Sequence, residues 1–181
     1  NGRPGGFSSK RAIGIISAHG VSVAGVNETL TVDQSGYVFK VSSSSDASYG
    51  LELPVIAQSV NVPGTYYEFI IDDDITGSDN SIFIRTGVPG DIFYGTTTVR
   101  SRNTSGETDV VSSFTTTSDG DNMFQLTPEY PVGVSGGEPG VLRGSTIKLI
   151  AVSSQTWVIE SNLIVNSGLS SGKIFTPYTN Y

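Results

Sequence analysis

Carboxylates, aromatics and one imidazole are the side chains in this sequence that could do chemistry. The densest carboxylate group is Asp72, Asp73, Asp74 and Asp79, and Asp119-Gly120-Asp121-Asn122 is a second. Oxygen-rich loops of this kind can hold calcium, but neither follows the D-x-[DN]-x-[DN]-G-x₅-E spacing of an EF-hand loop. The competing explanation is that Asp and Asn occupy β-turns because their side chains bond nearby backbone, and the sequence favours it. Paired carboxylates across a cleft can hydrolyse a glycoside. Glu52 and Glu68 fall on predicted strands, but nothing in the sequence brings them together, and alternating solvent-facing positions account for both. His19 is the sole histidine and lies in a glycine-broken apolar stretch, so no Ser-His-Asp arrangement can be built elsewhere. Tyr66, Tyr67, Tyr94, Tyr130 and Trp157 would suit a sugar-stacking platform, although aromatics on strands more often form cross-strand pairs or core. Asn27-Glu28-Thr29 and Asn103-Thr104-Ser105 match the N-glycosylation acceptor, a short pattern that recurs by chance. No Walker loop, GxGxxG or zinc motif is present. The sequence therefore assigns no catalytic, cofactor-binding or metal-ligating residue.

The elements that would position these groups are strands. The clearest stretch is 144–159, GSTIKLIAVSSQTWVI. Ile147, Leu149 and Ala151 alternate with Lys148 and Ile150, Ser153-Ser154-Gln155 offers a turn, and Trp157 and Ile159 flank Val158. Period-two alternation on both sides of a short polar break predicts a β-hairpin, with the only Trp of the chain set to close a core. Further strands are predicted at 28–32, 37–41, 49–53, 65–71, 81–85, within 92–100, and at 110–116 and 123–126, each bounded by turn residues. Weak extended segments fall at 12–17 and 20–24. Residues 128–140 carry three prolines and four glycines and read as an irregular crossing loop. Short strands at this spacing predict an all-β fold, an antiparallel β-sandwich of jelly-roll-like or barrel-like form. The expected division is an extended N-terminal arm at 1–26, a β-sandwich domain at 27–165 and a C-terminal docking tail at 166–181.

Composition narrows the function classes. The 181 residues contain no cysteine, which excludes disulfides, thiolate metal sites and a Cys nucleophile. The net charge is −7 with only 15% charged residues, and Ser, Thr and Gly fill the polar positions. Phosphate binding needs clustered Lys and Arg, so nucleic acid is not expected as a partner. Arg3, Lys10 and Arg11 are a local exception and read as a solvated end. No apolar run of 18 residues predicts a membrane span, and the first residues lack the apolar region of a signal peptide.

The order of these segments resembles a β-rich module of tailed-bacteriophage structural proteins. The resemblance runs through LTVDQSGYVFKV (30–41), LELP (51–54), PGTYYEFII (63–71), SIFIRT (81–86) and the 144–159 hairpin, most of the chain. The segment 92–140 has no counterpart in it. Such modules occur in capsid decoration or head-fibre proteins and in tail appendages. The resemblance implies a virion protein, often trimeric, with no enzymatic residue to carry over. It points first to a decoration (cement) protein on the capsid surface, with the major capsid protein and copies of itself as partners, and with neither cofactor, nucleic acid nor membrane. The alternative is a receptor- or carbohydrate-binding module of a tail fibre. In the first case Phe7, Ile13, Ile15, Ile174, Phe175, Tyr178 and Tyr181 are the apolar groups expected to dock on neighbours.

Overall fold

The computed structural model describes residues 13–18, 28–43, 49–55, 63–74, 82–88, 90–101, 110–115, 123–126, 141–165 and 175–176. Twelve strands run through them: β1 Ile13–Ala18, β2 Glu28–Thr29, β3 Val38–Ser43, β4 Tyr49–Glu52, β5 Tyr66–Ile71, β6 Ile82–Arg85, β7 Ile92–Ser101, β8 Val110–Thr115, β9 Met123–Leu126, β10 Thr146–Ala151, β11 Thr156–Val165 and β12 Phe175–Thr176. The only helical element among them is one 3-10 turn, Val32–Gln34, where the expected strand at 28–32 breaks off. The Thr31 N–H donates to Gln34 Oε1 at 2.8 Å and fixes that turn.

The strands form two open sheets. One has seven strands in the order β1-β3-β5-β10-β11-β7-β8, the other five in the order β12-β9-β6-β4-β2. The chain alternates between them from β1 to β7, so successive strands of one sheet are separated by a strand of the other. This makes β1–β3, β3–β5, β2–β4 and β4–β6 parallel pairs, and β7–β11 is parallel too. The pairs β5–β10, β10–β11, β7–β8, β6–β9 and β9–β12 are antiparallel.

The expectation of an antiparallel fold is therefore corrected: the sheets are mixed, and neither closes into a barrel. The physical reason lies in the connections. A hairpin between neighbouring strands needs a tight turn, whereas a parallel neighbour needs a longer excursion. From β2 to β6 that excursion is a strand in the other sheet.

The predicted hairpin at 144–159 is present, with Leu149 opposite Ile159 and Ala151 opposite Trp157. It fills the two places between β5 and β7. Its second strand runs on to Val165, and all ten of its residues pair with β7. Two of the chain segments expected to dock elsewhere are strands of the domain itself. Ile13 and Ile15 lie in β1 at one edge of the seven-stranded sheet, opposite Val38 and Lys40. Phe175 lies in β12 at the edge of the five-stranded sheet, opposite Phe124. Phe7, Ile174, Tyr178 and Tyr181 lie outside the described residues, as do the whole of loop 128–140 and the segment 20–24.

Alternation converts into burial. In β5, Tyr67, Phe69 and Ile71 are buried, and in β11 Trp157, Ile159, Ser161, Leu163 and Val165 are. One buried cluster takes Phe39, Tyr67, Phe69, Leu149 and Trp157 from the larger sheet and Leu51, Ile82 and Ile84 from the smaller, with Leu30 and Leu53 beside it. Phe39 stacks on Phe69 with ring centroids 5.4 Å apart, and Tyr67 meets Trp157 at 5.9 Å. The Tyr67 hydroxyl donates to the Thr31 carbonyl at 2.8 Å, which satisfies its polar end, and burial pushes its phenol pKa well above the ordinary value. The buried hydroxyls of Thr97 and Ser161 bond each other at 2.7 Å across β7 and β11.

Gly95 is the tightest point of the β7–β11 pair. Its φ is +148°, and a Cβ there would lie 1.9 Å from the Ile159 carbonyl oxygen.

Three substitutions test this core. Trp157→Ala should cost about 3–5 kcal/mol in urea unfolding, as expected for a fully buried aromatic. Trp157→Phe should cost roughly half as much or less, because the indole N–H it removes has no hydrogen-bond acceptor among the described residues. Gly95→Ala should destabilise by more than about 3 kcal/mol or prevent folding, since backbone of the paired strand would have to move. A wild-type melting curve for Gly95→Ala would show that the β7–β11 register is wrong.

Candidate functional site

Of the four described members of the aromatic platform, two lie on an accessible face. Tyr67 and Trp157 point into the core and are fully buried. Tyr66 and Tyr94 lie on the opposite, outer face of the seven-stranded sheet, and Tyr94 is 65% exposed. Tyr130 lies outside the described residues.

Register orders the outer face into rows that cross four strands. Tyr66, Ile150, Val158 and Tyr94 form the first row, at the turn end of the hairpin. Glu68, Lys148, Glu160 and Thr96 form the second, and Ile70, Thr146, Asn162 and Thr98 the third. Lys148 lies opposite Glu68 in one ladder and opposite Glu160 in the other. A shallow cleft of about 290 Å³ opens over the second and third rows, lined by Glu68, Ile70, Thr146, Lys148, Glu160 and Asn162.

The two glutamates singled out from the sequence do not meet. Glu52 is in the five-stranded sheet, where its Oε2 accepts from Arg85 Nη2 at 2.7 Å and from Arg85 Nε at 3.0 Å. Its position opposite Arg85 in the β4–β6 ladder accounts for it. Glu68 instead shares a face with Glu160, which sequence reasoning missed. The signal was available in the hairpin: counting outward from the 153–155 turn puts Glu160 opposite Lys148.

The Asp72–Asp74 segment closes one corner of the same sheet. Lys40 Nζ contacts Asp72 Oδ2 at 2.8 Å. Asp74 Oδ1 accepts from the Arg143 N–H at 2.7 Å, and Asp73 Oδ1 accepts from the Asp74 N–H at 2.9 Å. The hydrogen bond from Lys40 holds the Asp72 carboxyl below its ordinary 3.8; desolvation opposes this, and the charges of Lys40 and Arg143 add to it. No group of three or more acidic or histidine side chains among the described residues is arranged to hold a metal ion. His19, Asp79, Asp119, Asp121, Asn122 and both glycosylation acceptors, Asn27 and Asn103, lie outside those residues. No helix among the described residues is long and apolar enough to cross a membrane.

Comparison with protein-family models, curated proteins and solved structures returns no match to this chain.

The Asp72 pair has a pH signature. Its folded-state pKa is depressed, so its contribution to stability is complete above the ordinary 3.8 and is lost as pH falls through the lower folded value. The difference in Tm between wild type and Asp72→Asn should be largest near neutral pH, shrink on acidification through that window, and shrink also in high salt. A difference that stays constant from about pH 6 to pH 2 would rule out the Lys40 pair as its source.

Proposed function

We propose that this chain is a non-enzymatic structural protein of a tailed-phage virion, a decoration protein that binds the outer capsid surface and reinforces junctions between capsid subunits. One observation carries the reading: the segments of the phage-module resemblance contribute β3, β4, β5, β6, β10 and β11, adjacent strands at the heart of both sheets and of one hydrophobic cluster. A pattern so distributed specifies a rigid scaffold. We further propose that the two sheets stack as a mixed β-sandwich around that cluster, which their shared buried residues support.

The mechanism is mechanical. β1 and β12 form edges of different sheets, so residues 1–12 and 177–181 adjoin strand edges. An edge strand presents N–H and C=O groups on its outer side, ready to pair with another chain. Apolar and aromatic residues in the flanking segments, Phe7, Tyr178 and Tyr181, add burial against a neighbouring major capsid protein or a second copy in a trimer. Ordering such segments costs entropy, which burial across a large interface offsets. A low-charge acidic surface suits the outside of a shell.

Deletion of 1–12 or of 177–181 spares every described strand. Either truncated protein should melt within a few degrees of the full chain and lose co-sedimentation with capsids that lack the protein. Retained capsid binding by both truncations would overturn the assignment of docking to the ends. Electron-microscopic localisation on the tail would overturn the head assignment.

A further inference from the structure

We infer that copies of this chain join edge to edge through the larger sheet, β8 of one copy pairing antiparallel with β1 of the next. This deepens the reading that copies of the chain meet at strand edges. Its test uses the purified protein alone, so it can fail while capsid binding stands.

The edges of the two sheets are not alike. β2 and β12 end the five-stranded sheet, and each is two residues long. β2 carries Glu28, and Pro177 follows β12 in the sequence. Shortness, charge and proline are devices that keep an edge from pairing. β1 and β8 end the seven-stranded sheet, and each has six residues, IGIISA and VVSSFT, without a charge or a proline. Neither has a strand on its outer side among the described residues. An edge of this length and composition is a place where another chain adds a strand.

Topology sets the direction of the pair. Followed through the ladders, β1, β3, β5, β11 and β7 run one way, and β10 and β8 run the other. A second copy that continues the sheet, with its core face on the same side, keeps its strand directions, because a rotation cannot reverse one axis alone. Its β1 therefore runs opposite to β8, and the new pair is antiparallel, the slightly more stable kind.

Register sets the partners. Side chains alternate between faces, so core-side positions must oppose core-side positions. In β1, Gly14 and Ile16 lie opposite the buried Phe39 and Val41; in β8, Ser112 and Phe114 lie opposite the buried Val99 and Thr97. Full overlap of β8 with β1 puts Phe114 opposite Gly14 and Ser112 opposite Ile16, and in the outer rows Ser113 opposite Ile15 and Val111 opposite Ser17. Every position is in phase. A self-pair is not: β8 laid antiparallel along the full length of another β8 opposes Ser112 with Ser113, which belong to different faces, and β1 on β1 fails in the same way. The mixed pair also sets the aromatic residue of β8 against the glycine of β1, a cross-strand combination in which the ring makes good the missing side chain. The sequence adds charges of opposite sign at the strand ends that an antiparallel pair brings together: Lys10 and Arg11 precede β1, and Asp119 and Asp121 follow β8.

The chain has no cysteine, so introduced thiols report on this contact alone. Full-length Ile15→Cys and Ser113→Cys proteins, mixed and treated with a short bismaleimide, should give a linked dimer, since opposed positions have Cβ atoms about 5 Å apart. Ser17→Cys mixed with Val111→Cys should do the same, and provides a second pair if a variant of the first folds poorly. Ile13→Cys mixed with Val111→Cys lies four residues out of register, about 13 Å along the strands, and should link at under about a tenth of that yield. Sedimentation velocity of the wild-type protein should show species larger than a monomer whose share rises with concentration. A protein that stays monomeric at all concentrations overturns the inference. So do equal yields from in-register and out-of-register pairs, and so does linkage of Ile15→Cys or Ser113→Cys alone at the yield of the mixture, which marks a self-paired edge. An oligomer in which neither in-register pair links assembles through another surface and overturns it as well.

Discussion

The fold depends on the insertion of one hairpin between two strands that run the same way. β5 and β7 would be parallel neighbours if β10 and β11 were absent. The hairpin separates them and pairs antiparallel to β5 on one side and parallel to β7 on the other. Because side chains alternate with period two, a slip of one residue in either ladder would turn Leu149, Trp157 and Ile159 outward and Lys148 and Glu160 inward. Burial of the first set and solvation of the second both oppose that slip. Gly95 adds a steric lock, since only a residue without a side chain lets β7 approach the Ile159 carbonyl so closely.

The same register that fills the core also writes the chemistry of the outer face. Trp157 inward makes Val158 and Glu160 outward; Tyr67 inward makes Tyr66 and Glu68 outward. Surface charges in ladders of this kind contribute little to stability individually. The Glu52–Arg85 pair differs. It is largely shielded from solvent, has two hydrogen bonds to one carboxylate oxygen and joins parallel strands, so its role is structural.

The two ends of the chain enter different sheets at their edges. Burial of the sheet interiors fixes the scaffold, and the edge strands carry the remaining backbone pairing capacity. Trp157, on an interior strand, packs in the buried cluster that holds the fold.

Strand positions were legible in the sequence because alternation and turn residues are local. The 144–159 hairpin was fully legible, including its turn, since both partners of its ladder lie within sixteen residues. Pairing between distant strands was not. Nothing local distinguishes a strand that folds back on its predecessor from one that crosses to another sheet, so the parallel pairs, and Ile13 and Phe175 as edge strands of the domain, emerged only from the tertiary structure. The carboxylates show the same divide. Sequence marked Glu52 and Glu68 as alternating polar positions, which they are. That Arg85 holds one while Lys148 and Glu160 join the other was decided by which strands lie side by side, a property set by burial of the whole apolar set at once rather than by any segment alone.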